Sequence, residues 1–221
     1  MPRTKPEPLI KFYKKEDDIL EIGIDEVGRG PLFGRVYTGA VILPKDTDFD
    51  FSLLKDSKKF TSEKKIKEVA EYIKENAIAW CVAYKDENVV DKINIRQSVL
   101  TCMHESIKNI MTENNKYFIL VDGNDFKPYM KFENDTFNQI EHKCIEGGDN
   151  KYCAIAAASI LAKTERDKYI EDLCEEYPEL KERYSLDKNK GYGTKLHIEG
   201  IKKYGISKWH RRSYGICKDY C

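Results

Sequence analysis

Two adjacent carboxylates, Asp25 and Glu26, stand at the end of residues 19–24, an apolar run that alternates as a β-strand does. Residues 28–30 then read Gly-Arg-Gly. Carboxylate oxygens are the hard ligands that Mg²⁺ and Mn²⁺ prefer, and glycine lets backbone N–H groups approach a phosphate or a sugar closely. Because metal and phosphate contacts would meet at one point, this segment indicates phosphoryl chemistry on a polyanion.

Two further acidic residues stand where predicted strands end. Asp122 follows residues 117–121, a continuous apolar run typical of a strand buried on both faces. Asp149 lies between a predicted strand, residues 139–145, and a predicted helix, residues 152–169. Neighbouring strands lie about 4.8 Å apart, so carboxylates at the same ends of such strands can converge. Converging carboxylates repel one another unless cations neutralise them, which predicts a site for divalent metal ions.

The roles of Glu26 and Asp167 leave alternatives open. Consecutive strand residues point to opposite faces, so Asp25 and Glu26 can both serve only under one of two conditions. Either the strand ends between them, or Glu26 acts partly through its main-chain carbonyl. Asp167 competes with Asp149 for the fourth carboxylate, but its i,i+4 spacing from Lys163 favours an ion pair. We therefore predict a structural role for Asp167.

The elements that must position these residues follow from the apolar pattern, from helix caps and from an alanine-rich segment. The predicted strands are residues 19–24, 36–43, 78–84, 117–121 and 139–145. Helices are predicted over residues 61–76 and 152–169, and residues 88–111 are predicted to form one or two helices. From residue 170 onward the chain reads as helical, with breaks at Pro178 and at residues 190–193. This order predicts a layered architecture of α/β or α+β type with a helical tail.

Six segments resemble, in the family's order, the motifs of type 2 ribonucleases H, the ribonuclease HII family, in its stand-alone bacterial-like form. They are residues 25–32 (Asp-Glu-Val-Gly-Arg-Gly-Pro-Leu), 55–59 (Lys-Asp-Ser-Lys-Lys), 121–124 (Val-Asp-Gly-Asn), 148–167 (Gly-Asp, an Ala-Ala-Ala-Ser-Ile-Leu-Ala-Lys helix and Arg-Asp), 190–194 (Lys-Gly-Tyr-Gly-Thr) and 210–214 (His-Arg-Arg-Ser-Tyr). The resemblance spans nearly the whole chain. It implies an α/β, ribonuclease H-like fold, with a mixed central sheet flanked by helices and a helical C-terminal extension.

The resemblance also implies a function. The four matching carboxylates, Asp25, Glu26, Asp122 and Asp149, would be the catalytic residues and the ligands of Mn²⁺ or Mg²⁺ in a two-metal site. The enzyme would hydrolyse the RNA strand of RNA–DNA hybrids. It would also nick duplex DNA 5′ to embedded ribonucleotides, leaving 3′-OH and 5′-phosphate ends, as ribonucleotide excision and primer removal require.

Substrate contacts are implied in the same way. The loop of Gly28, Arg29 and Gly30 would sense the ribose 2′-OH through its backbone, and Tyr192 would stack on the following deoxyribose. The predicted phosphate contacts are Arg29, Lys58, Lys163, Arg211 and Arg212. Phosphate contacts position a duplex without reading its sequence, so we expect cleavage with little base preference.

The chain departs from the family pattern at a few positions. Gly147 stands two residues before Asp149, where the family usually has lysine, and this change removes a charge near the metals. Arg35 and Tyr37 stand where the family favours proline and small apolar residues. None of these changes touches a carboxylate, so we expect activity.

Composition and charge predict how the chain is organised. With 221 residues, 41% of them hydrophobic and 34% charged, the chain can bury a core. We predict a flexible N-terminal tail over residues 1–15, a ribonuclease H-like catalytic domain over residues 16–175 and a basic helical region over residues 176–221. The net charge is zero, but residues 181–221 carry +7, which fits a protein that holds a polyanion with this part.

The composition and the apolar pattern also indicate the cellular compartment. No apolar run approaches the length of a membrane span, and residues 1–8 lack the apolar stretch of a secretory signal. Seven cysteines without a Cys-x-x-Cys pair predict reduced thiols. We therefore expect a cytoplasmic monomer with no membrane partner, whose binding partner is an RNA–DNA hybrid or a ribonucleotide-containing DNA duplex.

Two other functions fit the residues less well. One is a hybrid-binding module with weak catalysis, which the glycine at position 147 and the basic C-terminal region would suit. The other is a different nuclease or phosphotransferase on the same scaffold, because a fold does not fix a function. Binding without metal-dependent cleavage would favour the first, and equal cleavage of all-DNA duplexes would favour the second.

Overall fold

A five-stranded mixed sheet forms the centre of the computed structural model, which describes residues 8–45, 48–133 and 135–221. The strand order is β3-β2-β1-β4-β7, and a separate two-stranded hairpin pairs β5 with β6. The strands are β1 (Ile19–Val27), β2 (Val36–Ile42), β3 (Ala79–Lys85), β4 (Lys116–Asp122), β5 (Met130–Glu133), β6 (Thr136–Gln139) and β7 (Glu141–Ile145). The helices are α1 (Glu63–Asn76), α2 (Glu87–Ile110), α3 (Cys153–Glu176), α4 (Glu179–Tyr184), α5 (Leu186–Asn189) and α6 (Lys195–Tyr204).

Strand direction brings the acidic residues to one edge. β1 pairs antiparallel with β2, and β2 pairs antiparallel with β3, whereas β4 runs parallel to both β1 and β7. Ile24 of β1 is the register partner of Val121 of β4, so the next residues, Asp25 and Asp122, are neighbours across the parallel pair. The carboxyl ends of β1, β4 and β7 therefore lie along the same edge of the sheet.

One face of the sheet packs unusually close to α3. A Cβ on Gly23 would lie 2.1 Å from the carbonyl carbon of Ala154, and a Cβ on Gly39 would lie 2.3 Å from the carbonyl oxygen of Ala158. Glycines on the strands and alanines on the helix thus allow backbone to approach backbone. The alanine-rich helix predicted from the sequence is confirmed, but it continues to Glu176 rather than ending near residue 169, because Ile170 and Cys174 are buried against the C-terminal region.

The other face of the sheet packs against α2. Ile22, Ile24 and Ile119 of the strands meet Met103 and Ile107 of this helix in a fully apolar cluster. The helix is kinked at Asn94, whose φ of 63° and ψ of 164° are not helical. The sheet is thus covered on both faces, which explains the continuous apolar run of β4.

The segment before β7 differs from the sequence prediction. A single strand was predicted over residues 139–145, whereas the structure ends β6 at Gln139 and begins β7 at Glu141. β6 pairs with β5 in a hairpin in which Phe132 stands opposite Phe137. Both phenylalanines are largely exposed, so burial supplies no apolar pattern from which this hairpin could be predicted.

Both ends of the described chain pack against the body. Residues 1–7 of the predicted tail lie outside the described residues. Ile10, however, forms a parallel bridge opposite Tyr152 through backbone hydrogen bonds with Lys151 and Cys153, and Tyr13 stacks on Phe118. The later part of that segment therefore differs from the loose tail that was expected. At the C-terminus, Leu186 and Ile201 pack with Phe33 of the body in one buried cluster.

In the part of the chain that the structure describes, no helix has the length and apolarity needed to cross a bilayer. All seven cysteines are free. Cys217 is buried in the C-terminal cluster, so packing accounts for it.

Candidate active site

The acidic side chains are set by two strands and one short turn. Asp25 lies within β1, Asp122 is the last residue of β4, and Asp149 lies in the 3₁₀ turn Gly148–Asn150 that leads into α3. β1 does not end between Asp25 and Glu26, because Glu26 is still paired with Thr38 of β2. The two side chains therefore leave opposite faces of the strand, and both reach the cleft because it lies at the sheet edge.

Nine of the twelve predicted site residues line one cleft of about 310 Å³ at this edge. They are Asp25, Glu26, Gly28, Arg29, Gly30, Lys58, Asp122, Lys163 and Tyr192. The other three, Asp149, Arg211 and Arg212, are not in its lining. Asp149 is adjacent, since its Oδ2 lies 3.8 Å from the Nζ of Lys58.

The carboxylates influence one another strongly. Burial raises the pKa of Asp25 well above its ordinary value, and the negative charges of Glu26 and Asp122 raise it further. Burial, followed by the charge of Asp122, also raises the pKa of Asp149. The pKa of Glu26 is raised by burial although the cation of Arg29 opposes the shift. Burial and mutual repulsion thus make the charged carboxylates unfavourable unless a cation neutralises them.

This donor set fits a divalent cation. Mg²⁺ usually takes one or two carboxylates and completes its shell with water and substrate phosphate rather than with a full protein cage. Among the described residues, no three acidic, histidine or cysteine side chains are grouped closely enough to hold a metal ion without other ligands. The site therefore offers carboxylate oxygens along an edge, where a phosphate can supply the remaining ligands.

Local hydrogen bonds fix the orientation of the carboxylates. Asp122 Oδ1 accepts the Gly148 N–H at 2.6 Å, which ties the end of β4 to the turn carrying Asp149. Asn150 Nδ2 donates to Asp149 Oδ1 and to Asp56 Oδ2, both at 3.1 Å. The sequence did not single out Asn150, because only the folded turn brings it between two carboxylates.

Three acidic residues near the cleft have structural roles, and for Asp167 this is the role that was predicted. Asp56 caps the short turn Ser57–Lys59 by accepting the Lys58 N–H at 2.9 Å. Asp125 forms a two-point ion pair with Arg96, with N···O distances of 2.6 and 2.8 Å. Asp167 pairs with Lys163, as the i,i+4 spacing predicted.

The glycine loop lies close to a buried arginine, Arg166, whose role its sequence motif alone did not indicate. Gly28 has a φ of +95°, and a Cβ there would lie 2.5 Å from Nε of Arg166. Arg166 is 1% exposed and donates from Nη2 to the carbonyl of Lys190 at 2.8 Å. Its guanidinium carbon lies 5.8 Å from the ring centre of Tyr192. Arg166 thus lies beside both predicted sugar-reading elements and lines the cleft with them.

The prediction that Arg211 contacts phosphate is wrong. Arg211 is fully buried, and its guanidinium donates to four carbonyl oxygens at 2.7–3.0 Å, those of Gly28, Arg29, Pro31 and Gly34. Four of the five N–H donors of Arg211 are thus used on backbone carbonyls of residues 28–34. Arg212 is exposed, but it lies outside the cleft, where its backbone N–H donates to Asp91 at 2.9 Å.

The departures from the family pattern lie at different distances from the cleft. Gly147 adopts a left-handed conformation, with φ 62° and ψ 38°, and no atom lies within 4 Å of a Cβ built on it. Arg35 stacks between the rings of Tyr84 and Tyr169, at 4.0 and 4.3 Å, on a surface outside the cleft. The first change therefore borders the acidic residues, and the second does not.

The fold and the acidic edge together define an α/β protein of ribonuclease H-like architecture built for metal-assisted phosphodiester chemistry. The sequence model of the family Ribonuclease HII matches residues 22–217. Ribonuclease HII of Christiangramia forsetii is 41% identical over 211 residues, 96% of this chain and 97% of that protein. Ribonuclease HII of Bacteroides thetaiotaomicron is 42% identical over 211 residues, 96% of each chain. The chain therefore belongs to the ribonuclease HII family, and the predicted family is confirmed.

A solved structure shows the same fold. The crystal structure of the ribonuclease H2 from Pyrococcus horikoshii OT3 superposes with a TM-score of 0.71, at 21% identity, and covers 91% of this chain and 96% of that one. The predicted fold class, with its mixed central sheet flanked by helices, is confirmed.

Proposed function

We propose that this protein is a divalent-metal-dependent endonuclease. It hydrolyses the RNA strand of RNA–DNA hybrids and nicks DNA duplexes 5′ to embedded ribonucleotides, leaving 3′-OH and 5′-phosphate ends. The observation that carries the proposal is the cleft in which Asp25, Glu26 and Asp122 meet Tyr192 and the Gly28–Gly30 loop. Acidic residues for metals and a close backbone for a sugar are the two features that this reaction needs.

Four carboxylates would hold the metal ions, and the chain orients them. Asp25, Glu26, Asp122 and Asp149 would be the ligands, either Mn²⁺ or Mg²⁺ being the ion. When bound, a pair of such ions activates the attacking water and stabilises the leaving oxygen of an in-line displacement. Lys58, 3.8 Å from Asp149, stands at the cleft wall, where its charge can hold a substrate phosphate.

Backbone geometry supports sugar reading by the glycine loop. The carbonyls of Gly28 and Arg29 point at Arg211, which lies buried behind the loop. In a trans peptide the N–H points away from the carbonyl, so the N–H groups of Arg29 and Gly30 point away from Arg211. Both residues line the cleft, where these donors can reach a 2′-OH.

The stacking role falls to Tyr192. Its side chain is 48% exposed and lies against Gly30, since a Cβ on that glycine would be 3.7 Å from the tyrosine ring. An exposed ring beside the 2′-OH donors can pack on the sugar that follows the ribonucleotide. Together the loop and Tyr192 would select an RNA–DNA junction.

One assay tests the proposal. Wild-type protein is titrated with Mn²⁺ and Mg²⁺ against a duplex with one ribonucleotide, an all-RNA hybrid and plain DNA. Cleavage of the first two and not the third is expected. Asp122→Asn should lower cleavage at least 10³-fold, an estimate of about 4 kcal/mol for losing a metal ligand that acts in the transition state.

The matched control is Asp172→Asn, which removes an exposed carboxylate paired with Lys168 on α3. It should cleave as the wild type does. Undiminished cleavage by Asp122→Asn would refute the acidic site, and equal cutting of plain DNA would refute the sugar reading.

We also propose that the protein acts as a cytoplasmic monomer on these nucleic acids. The seven free cysteines support a reducing compartment, because thiols persist unpaired there. Sedimentation of the protein with and without a ribonucleotide-containing duplex would test the monomer.

A further inference from the structure

Two buried histidines form a chain of hydrogen bonds that ends on Tyr192. His197 and His210 are 0% and 1% exposed, and their Nε2 atoms lie 3.0 Å apart. His197 Nδ1 lies 2.9 Å from the carbonyl oxygen of Tyr192. His210 Nδ1 lies 2.9 Å from the backbone nitrogen of Ser207. Neither histidine lines the cleft, so their place in the molecule needs another explanation.

The direction of every bond in this chain follows from its first donor. The Ser207 N–H can only donate, so His210 Nδ1 accepts. In a neutral ring the proton is then on His210 Nε2, which donates to Nε2 of His197. The proton of His197 is therefore on Nδ1, which donates to the Tyr192 carbonyl. One tautomer of each ring satisfies all the bonds.

The same segment also holds the glycine loop. Residues 209–211 pair with residues 32–34, through Gly34 N–H to Trp209 O and Arg211 N–H to Leu32 O, both at 2.8 Å. The Arg211 side chain binds four loop carbonyls, as described above. Consecutive residues of one segment thus hold the two sides of the cleft, His210 through His197 on the Tyr192 side and Arg211 on the loop side.

We propose that His197 and His210 are positioning residues that set Tyr192 at the correct distance from the Gly28–Gly30 loop for junction recognition. The inference rests on the proposed role of Tyr192. Burial supports it, because burial lowers the pKa of His197 and lowers that of His210 to about 3, which favours the neutral rings that this hydrogen-bond pattern requires.

When the hydrogen bond from His197 is lost, we expect the turn around Tyr192 to loosen rather than to unfold. The Tyr192 carbonyl also accepts the Thr194 N–H at 2.8 Å, and the Tyr192 N–H donates to Asn189 O at 2.9 Å. Loss of the histidine bond therefore leaves the carbonyl with a partner. The backbone stays folded while the ring position becomes less restricted.

The test is a double-mutant cycle between His197 and Tyr192, measured as kcat/KM on a duplex with one ribonucleotide. His197→Leu removes the donor and should lower kcat/KM about tenfold, the usual size for one lost hydrogen bond at a rigid site. His197→Asn keeps a donor at the Nδ1 position and should stay within about threefold of wild type. In a Tyr192→Ala background, His197→Leu should cause no further loss, because its effect passes through the ring.

His104 supplies the matched control. Its Nε2 also faces a backbone carbonyl, that of Lys127 at 2.7 Å, but His104 lies on α2 and is not part of the hydrogen-bond chain. His104→Leu should leave kcat/KM unchanged. An equal loss from His197→Leu in both Tyr192 backgrounds would overturn the inference, as would an unaffected His197→Leu single variant or an unaffected Tyr192→Ala.

A second measurement needs no catalysis. The chain contains four histidines, so ¹⁵N-edited NMR can assign the ring nitrogens of the wild-type protein. The expected tautomers carry the proton on Nδ1 of His197 and on Nε2 of His210. The opposite tautomer at His197 would overturn the inference even if His197→Leu fails to fold. If the wild-type protein does not cleave the ribonucleotide-containing duplex, the proposed function is overturned instead. The tautomers would still show whether the hydrogen-bond chain through His197 and His210 exists.

Discussion

The two sides of the cleft differ in their electrostatics: one buries carboxylates, and the other buries hydrogen-bond donors. We call Asp25, Glu26, Asp122 and Asp149 the acidic edge, and Arg166, His197, His210 and Arg211 the loop scaffold. On the acidic edge, burial and then the charges of neighbouring carboxylates raise the pKa values of Asp25 and Asp149. In the loop scaffold, two buried guanidinium groups and two neutral rings donate mainly to backbone carbonyls and to each other.

The difference separates chemistry from positioning. Burial and mutual repulsion oppose ionisation of the acidic edge, as expected where a site is built for a charged reaction. In the loop scaffold, the Arg211 side chain is oriented by hydrogen bonds to four backbone carbonyls rather than to a carboxylate. The buried positive charge of Arg211 also lies directly behind the Gly28–Gly30 loop, which we propose to contact the substrate backbone.

The largest expected effect comes from breaking the scaffold at Arg211. Arg211→Ala leaves several loop carbonyls buried without a donor, which should cost about 3 kcal/mol of unfolding free energy. Chemical unfolding measures the loss, and junction cleavage should fall with it because the loop is no longer held. Arg211→Lys should recover little, since one ammonium cannot reach four carbonyls in a fork geometry.

Arg212→Ala is the matched control for this variant, because Arg212 is exposed and lies outside the cleft. It should change stability by less than about 0.5 kcal/mol. A similar loss from both variants would show that Arg211 has no special place in the scaffold.

The pH dependence of stability sharpens the comparison with an intermediate effect. The folded pKa of His210 is lowered to about 3 by burial, below its unfolded value near 6.5. The unfolded state then binds more protons, so stability falls as the pH drops through 6.5 and continues to fall toward the folded pKa. His210→Gln should reduce this slope by up to about 1.4 kcal/mol per pH unit between pH 6 and 4.

Thermal unfolding across that pH range measures the slope, with His104→Gln as the control because it removes a partly exposed histidine. An unchanged slope in His210→Gln would mean that this ring is not buried neutral in solution.

The smallest expected effect concerns Gly147, beside the acidic edge. Both Gly147→Ala and Gly147→Lys place a Cβ at a φ of 62° and should cost about 1 kcal/mol of unfolding free energy. Only the lysine adds a cation near Asp149, so it alone should raise the metal concentration needed for half-maximal cleavage. Equal metal requirements for the two variants would show that the charge at this position does not reach the ions.

Sequence patterns identified the residues whose structural roles are set by their neighbours along the chain. Asp122 could be placed because it follows a continuous apolar strand, and the partner of Asp167 because i,i+4 spacing fixes it on a helix. Where packing decides, the patterns were insufficient. β1 continues past Asp25 because β2 pairs with it through Val27, and the β5–β6 hairpin has no buried face to mark it.

The sequence by itself determined the family, the α/β fold class and the acidic residues that follow its strands, because motifs and apolar periodicity are written in consecutive residues. Only the tertiary structure decided what Arg211 does and that His197 and His210 lead to Tyr192. Arg211 reaches carbonyls more than 170 residues away, and its charge suggested a phosphate until its burial was known. Such roles depend on which distant backbone groups remain to be satisfied after the core has packed, and no local pattern records that.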